Sequence, residues 1–163
     1  MSTLSVDTIT EQTTGGGVKI AGHVVQVVNN STATTITQSS TGSAIETGLV
    51  ATITPKSNTS KILILANQNI QTNGNSYAQI VLRKGTIASN TILAIMSSPE
   101  GYNNSSDHEV NTIPMCYEDS PATTSAVRYF CSMERLSGSG TLNSQTATSG
   151  VSVSTITLME IAQ

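Results

Sequence analysis

The final stretch, Val151-Ser-Val-Ser-Thr-Ile-Thr-Leu-Met-Glu-Ile-Ala162, runs apolar and β-branched almost to the chain end. It constrains the fold more than any other stretch. At a period of two, Val151, Val153, Thr155, Thr157, Met159 and Ile161 share one face, and Ile156 and Leu158 share the other. A segment apolar on both faces is expected as an inner strand covered on both sides. An inner strand made last must insert between strands made earlier, so the sheet is predicted to be completed only by the chain's final residues.

The chain that this strand closes is long enough, at 163 residues, for one domain with a genuine core. Charged residues make up 10% of it and aromatics 3%, with no Trp, so Ser, Thr and Asn must solvate much of the surface. A net charge of −3, with the basic residues scattered, argues against nucleic acid as a partner, because neutralising phosphates takes clustered Lys and Arg. The longest clean apolar run, Ile62 to Ala66, is far too short for membrane insertion by a helix. The N-terminus has no basic patch followed by an apolar stretch, so no secretory signal is expected and disulfides are not expected from compartment.

Residues 1–22 read differently from residues 23–163. Leu4, Val6, Ile9, Val18 and Ile20 are sparse apolar positions among Ser, Thr and Asp, interrupted by Gly15-Gly-Gly17. Such a segment holds too little apolar surface to fold alone and is ordered only against neighbours; the alternative is a disordered tail. From His23 onward the pattern is β throughout, with expected strands at Val24–Val28, Thr34–Thr37, Leu49–Ile53 ended by Pro55, Lys61–Ile70, Tyr77–Leu82 and Ile92–Met96. The Asn73-Gly74 pair is expected to turn a hairpin between the fourth and fifth of these.

Ser97 to Asn111 is the longest polar interruption and reads as one long loop. After it, a hairpin centred on Thr123 would set Ile113, Met115 and Tyr117 opposite Met133, Cys131 and Tyr129, with Glu118 opposite Arg128. In that register Cys116 and Cys131 point to opposite faces and stay free thiols. Thr141 to Asn143 is expected to pair briefly before the last strand. No stretch repeats apolar residues at helical spacing. Eight to ten strands with turn chemistry between them indicate an all-β sandwich or barrel, and the long crossings with a central last strand favour a jelly-roll-like β-sandwich.

Chemistry is hard to place on this chain. Asp107-His108-Glu109 is the only cluster of ligand-type side chains, and on a strand adjacent side chains alternate in direction, so a solvated loop tip is the favoured reading and no metal is expected. No Gly-x-Ser-x-Gly elbow occurs. The glycine runs at 15–17 and 138–140 open no helix, so neither cradles phosphate. The acids give no defensible pairing for catalysis. The expectation is a protein of binding or architecture that is not an enzyme and carries no cofactor.

Two regions carry a family resemblance. Leu4-Ser-Val-Asp-Thr-Ile9, followed by Gly17-Val-Lys-Ile20 and Gly22-His-Val-Val-Gln-Val-Val28, resembles the stem-to-head junction of short fibres of tailed bacteriophages. Asp119-Ser-Pro-Ala-Thr-Thr-Ser-Ala126 and Ser154-Thr-Ile-Thr-Leu-Met-Glu-Ile-Ala162 resemble segments of the C-terminal heads of those fibres. The resemblance implies a homotrimer located in the virion, anchored to other virion proteins through residues 1–22, with residues 23–163 as an outward-facing sandwich head.

The short stem admits two variants of that expectation: a tail fibre that recognises the host surface, or a head fibre or decoration protein seated on the capsid. A non-viral adhesin-like sandwich is the alternative from another class. For host attachment, the polar loops at 71–76, 97–111 and 138–149 suit hydrogen bonding to a cell-surface glycan, with Asn73, Asn75, Tyr102, Asn103, Asn104, Asp107 and His108 as candidate contacts. Tyr77, Tyr117 and Tyr129 are expected in the core or in the trimer interface.

Overall fold

A computed structural model describes residues 20–100, 108–146 and 152–163. Ten strands follow one another: β1 (Val24–Thr32), β2 (Thr37–Gln38), β3 (Ala44–Ile53), β4 (Lys61–Asn73), β5 (Ser76–Gly85), β6 (Asn90–Glu100), β7 (His108–Asp119), β8 (Val127–Gly138), β9 (Thr141–Ser144) and β10 (Ser154–Ile161). All pairings are antiparallel, and they nest: β1 pairs β10, β2 pairs β9, β3 pairs β8, β4 pairs β7 and β5 pairs β6. The chain is therefore one long ribbon folded back on itself at β5–β6. Further pairing of β4 with β10 and β9, and of β5 with β8, rolls that ribbon into two sheets. The long strands run β1-β10-β4-β7 in sheet A and β3-β8-β5-β6 in sheet B, the wrapping of a jelly roll.

The expectation for the last strand holds in its position. β10 lies between β1 and β4, with Ile156 opposite Asn30 on one side and Ala66 on the other. Among the described residues of this one chain, only its inner side is covered. Ser154, Ile156, Leu158 and Glu160 are buried, while Thr155, Thr157, Met159 and Ile161 are only half-buried. The outer face of sheet A has nothing of this chain, among the described residues, packed over it.

Two expected hairpins are overturned for one reason. β7 and β8 are consecutive but belong to different sheets, so Ile113, Met115 and Tyr117 pair with β4 and not with β8. They still come near Met133, Cys131 and Tyr129, across the sandwich and not along a ladder: Met115, Tyr117, Tyr129 and Cys131 share one core cluster, and Ile113 and Met133 the other. Likewise the Asn73-Gly74 turn carries the chain from sheet A to sheet B instead of closing a paired hairpin. Both cysteines are free, Cys116 exposed and Cys131 buried, and burial pushes the Cys131 thiol up to about 12. β6 extends to Glu100 and β7 begins at His108, so much of the stretch from Ser97 to Asn111 is strand and not loop.

The core divides in two. Leu49, Ile53, Ile62, Ile64, Leu82, Tyr129, Ile156 and Leu158 fill the larger part, and Ile70, Ala78, Ile80, Met133 and Leu142 the smaller. Each fully buried large side chain contributes about 1.5–3 kcal/mol. Between the two parts lies a buried polar seam of Thr47, Gln68, Ser144, Gln145 and Ser154. Thr47 Oγ1 donates to Gln68 Oε1 at 2.6 Å. With the Gln145 amide turned so that its nitrogen meets the Thr34 and Thr47 carbonyls, its oxygen accepts from Gln68 Nε2 at 2.8 Å and from Ser154 Oγ at 3.0 Å.

The open side between β1 and β3 is stitched by amide side chains. Asn30 Nδ2 donates to the Val50 carbonyl and Gln26 Nε2 to the Thr54 carbonyl, each at 2.7 Å. These contacts tie the first edge of sheet A to the first edge of sheet B and occupy backbone acceptors that an edge strand would otherwise expose.

Candidate interaction surfaces

β4 is the longest strand and sets the long axis. At about 3.3 Å per residue its ends lie about 40 Å apart. At the Lys61 end, Gly22 N donates to the Ala162 carbonyl at 2.8 Å, Ala162 N to the His23 carbonyl at 2.9 Å, and His23 N to the Ile20 carbonyl at 2.9 Å. Ala162 directly follows Ile161, the partner of Lys61, so Ile20 lies at that end, and it is 54% exposed.

At the Asn73 end, loops from three parts of the chain converge. The β4–β5 turn, with Gly74 at φ +65°, presents the Asn75 carbonyl to the amides of Ser139 at 2.9 Å and Gly140 at 3.3 Å in the β8–β9 turn. Arg135, nearly buried, bonds the Gly140 carbonyl through its guanidinium and donates from Nε to Thr41 Oγ1 at 3.1 Å, which brings in the β2–β3 connection. The sequence pattern predicts a turn at Asn73-Gly74 and a polar loop at 138–149. It does not show that Arg135 fastens three connections together.

Of the candidate receptor contacts, Asn73 and Asn75 lie in this cluster and His108 pairs with Asn73 across β4 and β7. Asn75 is exposed; Asn73 is half-buried, its Nδ2 donating to Thr141 Oγ1 at 3.3 Å. Asn73 Oδ1 and Thr72 Oγ1 are buried without a hydrogen-bond partner among the described residues. Tyr102, Asn103, Asn104 and Asp107 lie outside the described residues, as do Leu4, Val6, Ile9 and Val18 of the N-terminal set. Of the tyrosines expected in the core, Tyr129 is fully buried, Tyr117 packs against the larger core, and Tyr77 is half-buried.

The two outer faces differ in kind. On sheet B, Arg128 grips Glu46 through two bonds of 3.0 and 2.5 Å and lies 4.6 Å over the Phe130 ring, while Arg83 Nε donates to Ser132 Oγ at 2.6 Å. The centre of that face is roofed by its own charged side chains, with Phe130 beneath them fully buried, while Ile92 and Ile95 are exposed toward the β6 edge.

On sheet A the rows run Val27–Met159–Leu63–Glu118, Asn29–Thr157–Leu65–Cys116 and Ser31–Thr155–Asn67–Pro114. The ionic contact of this face is the exposed Lys61–Glu118 pair at its rim, at 2.6 Å. A shallow groove of about 450 Å³ is lined by residues 65–67 of β4 and the paired residues 114–116 of β7.

The buried titratable groups are hydrogen-bonded within the fold. Tyr129 Oη donates to Asp119 Oδ2 at 2.7 Å, and Lys84 Nζ donates to the same oxygen at 2.8 Å. Glu160 is held by amides of the β3–β4 connection. Among the described residues no group of His, Cys, Asp and Glu is placed to hold a metal ion, and Glu109 of the Asp107-His108-Glu109 cluster is an exposed strand residue.

No protein-family model matches this sequence. No curated protein matches it either. Among solved structures, the chain is similar to that of the infectious bursal disease virus Gt strain, at 10% identity and a TM-score of 0.45, over 86% of this chain and 39% of that one. It is also similar to the VP2 subviral particle of the same virus, at 10% identity and a TM-score of 0.45, over 86% of this chain and 43% of the other. The chain thus spans about two fifths of the length of the structures it matches.

Proposed function

We propose that this chain is a virion structural protein of a tailed bacteriophage, a homotrimeric tail fibre whose sandwich head faces outward for attachment to the host surface. The observation that carries the reading is polarity. Ile20, where residues 1–19 join the sandwich, and the Asn73–Asn75 turn with its companion loops lie at opposite ends of β4, about 40 Å apart. A chain docked on other virion proteins through residues 1–22 holds its polar loops as far from the particle as the fold allows.

The loops offer Asn and Ser groups and backbone amides, the chemistry that recognises a glycan by hydrogen bonds. Three copies on one particle would compensate for weak contact at each site. The function asked of the molecule is recognition without catalysis, and the described ion pairs and buried acids all serve the fold.

Adsorption competition tests this reading. Purified protein, three times 16.9 kDa in solution, is expected to slow adsorption of the phage that carries it, and Asn75→Ala with Ser139→Ala is expected to weaken that competition. A trimer that fails to compete at saturating concentration overturns attachment and favours a capsid-anchored head fibre or decoration protein. A protein with no place in a virion overturns both and leaves the adhesin-like reading.

A further inference from the structure

The outer face of sheet A carries exposed apolar side chains from β1, β4 and β7. Val24, Val27, Leu65 and Val110 are each exposed large hydrophobic residues, and each falls on this face by its pairing: Val24 with Ile161, Val27 with Met159, Leu65 with Thr157 and Val110 with Gln71. Val27 is 55% exposed. Cys116 and Pro114 add to the same surface from β7. Sheet B has exposed apolar residues toward its β6 edge, Ile92 beside Arg83 and Ile95 beside Val81, but Arg128, Glu46 and Arg83 cover its centre, whereas the centre of sheet A has hydroxyls, amides and hydrocarbon with no charge.

We infer that the outer face of sheet A is where one copy of this chain packs against another, sheet face to partner. The inference rests on the trimeric reading and assigns the contact surface that such an assembly uses. Three considerations select a second copy as the occupant. First, a partner chosen by charge would find nothing to pair with, because Lys61 and Glu118 already satisfy each other at the rim. A face with rows of Val, Leu and Met beside rows of Thr, Ser and Asn matches a surface of the same composition.

Second, the size fits. The four strands, of 9, 8, 13 and 12 residues, at about 3.3 Å per residue and about 4.8 Å apart, present about 670 Å². A stable protein interface takes about 600–1,000 Å² from each partner. Third, the remaining candidate, residues 1–19 of the same chain, would lie as a lone strand flat on a sheet. Its backbone N–H and C=O groups would then be sealed from water without partners, at a cost that a second sheet, whose backbone is already paired, does not incur.

The two free thiols provide the test. Cys116 lies on the proposed surface and Cys131 in the core, so a thiol-reactive disulfide reagent reads contact through one and folding through the other. In the wild-type protein at micromolar concentration, Cys116 is expected to react at least tenfold more slowly than free cysteine and Cys131 not to react without denaturant. Leu65→Glu is expected to give a monomer of 16.9 kDa in which Cys116 reacts within about threefold of free cysteine while Cys131 stays protected. Should Leu65→Glu expose Cys131, Val27→Glu on β1 takes its place, and wild-type protection of Cys116 decides without either variant. An oligomer whose Cys116 reacts freely, or whose size survives a folded Leu65→Glu change, overturns this surface and leaves the trimeric reading standing. A wild-type monomer overturns both.

Discussion

Glu160, one position short of the end of β10, accepts a 2.8 Å hydrogen bond from the backbone amide of Lys56 in the connection between β3 and β4. Ser57 N at 3.3 Å and Gln26 Nε2 at 2.6 Å point to the same fully buried carboxylate. The chain's last strand thereby holds in place a connection made a hundred residues earlier. Burial alone would raise this carboxyl's pKa; the bonds from Ser60, Gln26, Lys56 and Ser57 outweigh it and hold the value below the usual carboxylate range.

A depressed value in the fold means that the stabilisation is fully present above the unfolded carboxylate value of about 4.3 and is lost as pH falls further. Glu160→Gln is expected to cost about 2–4 kcal/mol at neutral pH, because it leaves backbone donors facing an amide nitrogen. Urea midpoints at pH 7 and pH 3.5 check it: wild type should lose more stability over that interval than the variant. Equal losses would show that Glu160 does not set the acid limit.

Gly138 sits at φ +94°, and a Cβ there would collide with the Asn75 carbonyl and with Ser76. Both the conformation and the space therefore demand glycine. Gly138→Ala is expected to cost more than about 1 kcal/mol and to loosen the loop end selectively. Hydrogen exchange at Ser139 and Gly140, whose amides bond to Asn75, should accelerate while exchange in β10 stays slow. A uniform change across the molecule would mean that the turn is not a separate unit.

The jelly roll was legible in the sequence at the level of strands, and less so at the level of which strands meet. The terminal run of Ile156 and Leu158 announces an inner strand because only burial accounts for such a segment. The register assumed around Thr123 and the hairpin expected at Asn73-Gly74 fail because turn chemistry reports that the chain reverses, not whether the next strand continues in the same sheet or crosses to the other. Cys116 and Cys131 are free as expected, for a different reason: they belong to opposite sheets. The half-exposure of Met159 and Thr157 was not readable either, since alternation shows that a face is apolar and is silent about what covers it. Of the candidate contacts, Asn73 and Asn75 were legible as a turn, while the fastening by Arg135 reaches Thr41, 94 positions away in the chain.

Tyr129 is fully buried, and its hydroxyl donates to Asp119, which also receives Lys84. Burial first, then the bond to Asp119 and the negative charge of that residue, raise the phenol's pKa well above its ordinary value. With the folded value raised, its contribution is complete below the unfolded value of about 10 and declines as pH climbs past it. A spectrophotometric titration should therefore show one tyrosine that ionises only as the fold is lost, and Tyr129→Phe should remove that late step. If every tyrosine ionises while β-sheet circular dichroism is intact, the assignment fails.

The polar seam gives the severest prediction for stability. Gln68 is fully buried, with Thr47 Oγ1 at 2.6 Å from its carbonyl oxygen and the Asn69 carbonyl 2.8 Å from its nitrogen. Truncation to Ala would remove the 2.6 Å acceptor of Thr47 Oγ1 and the Gln68 donor to Gln145 as well as open a cavity, and the expected cost is about 3–5 kcal/mol. Gln68→Leu fills the space but removes the same hydrogen bonds, so it is expected to recover only part of that loss. Gln68→Glu retains one acceptor for Thr47 and buries a charge, so its deficit should shrink as pH is lowered toward protonation of the new carboxyl. Denaturant unfolding of the three variants at pH 7 and pH 5 separates these terms. A leucine variant as stable as wild type would show that the seam contributes nothing beyond its volume, and that the two halves of the core behave as one.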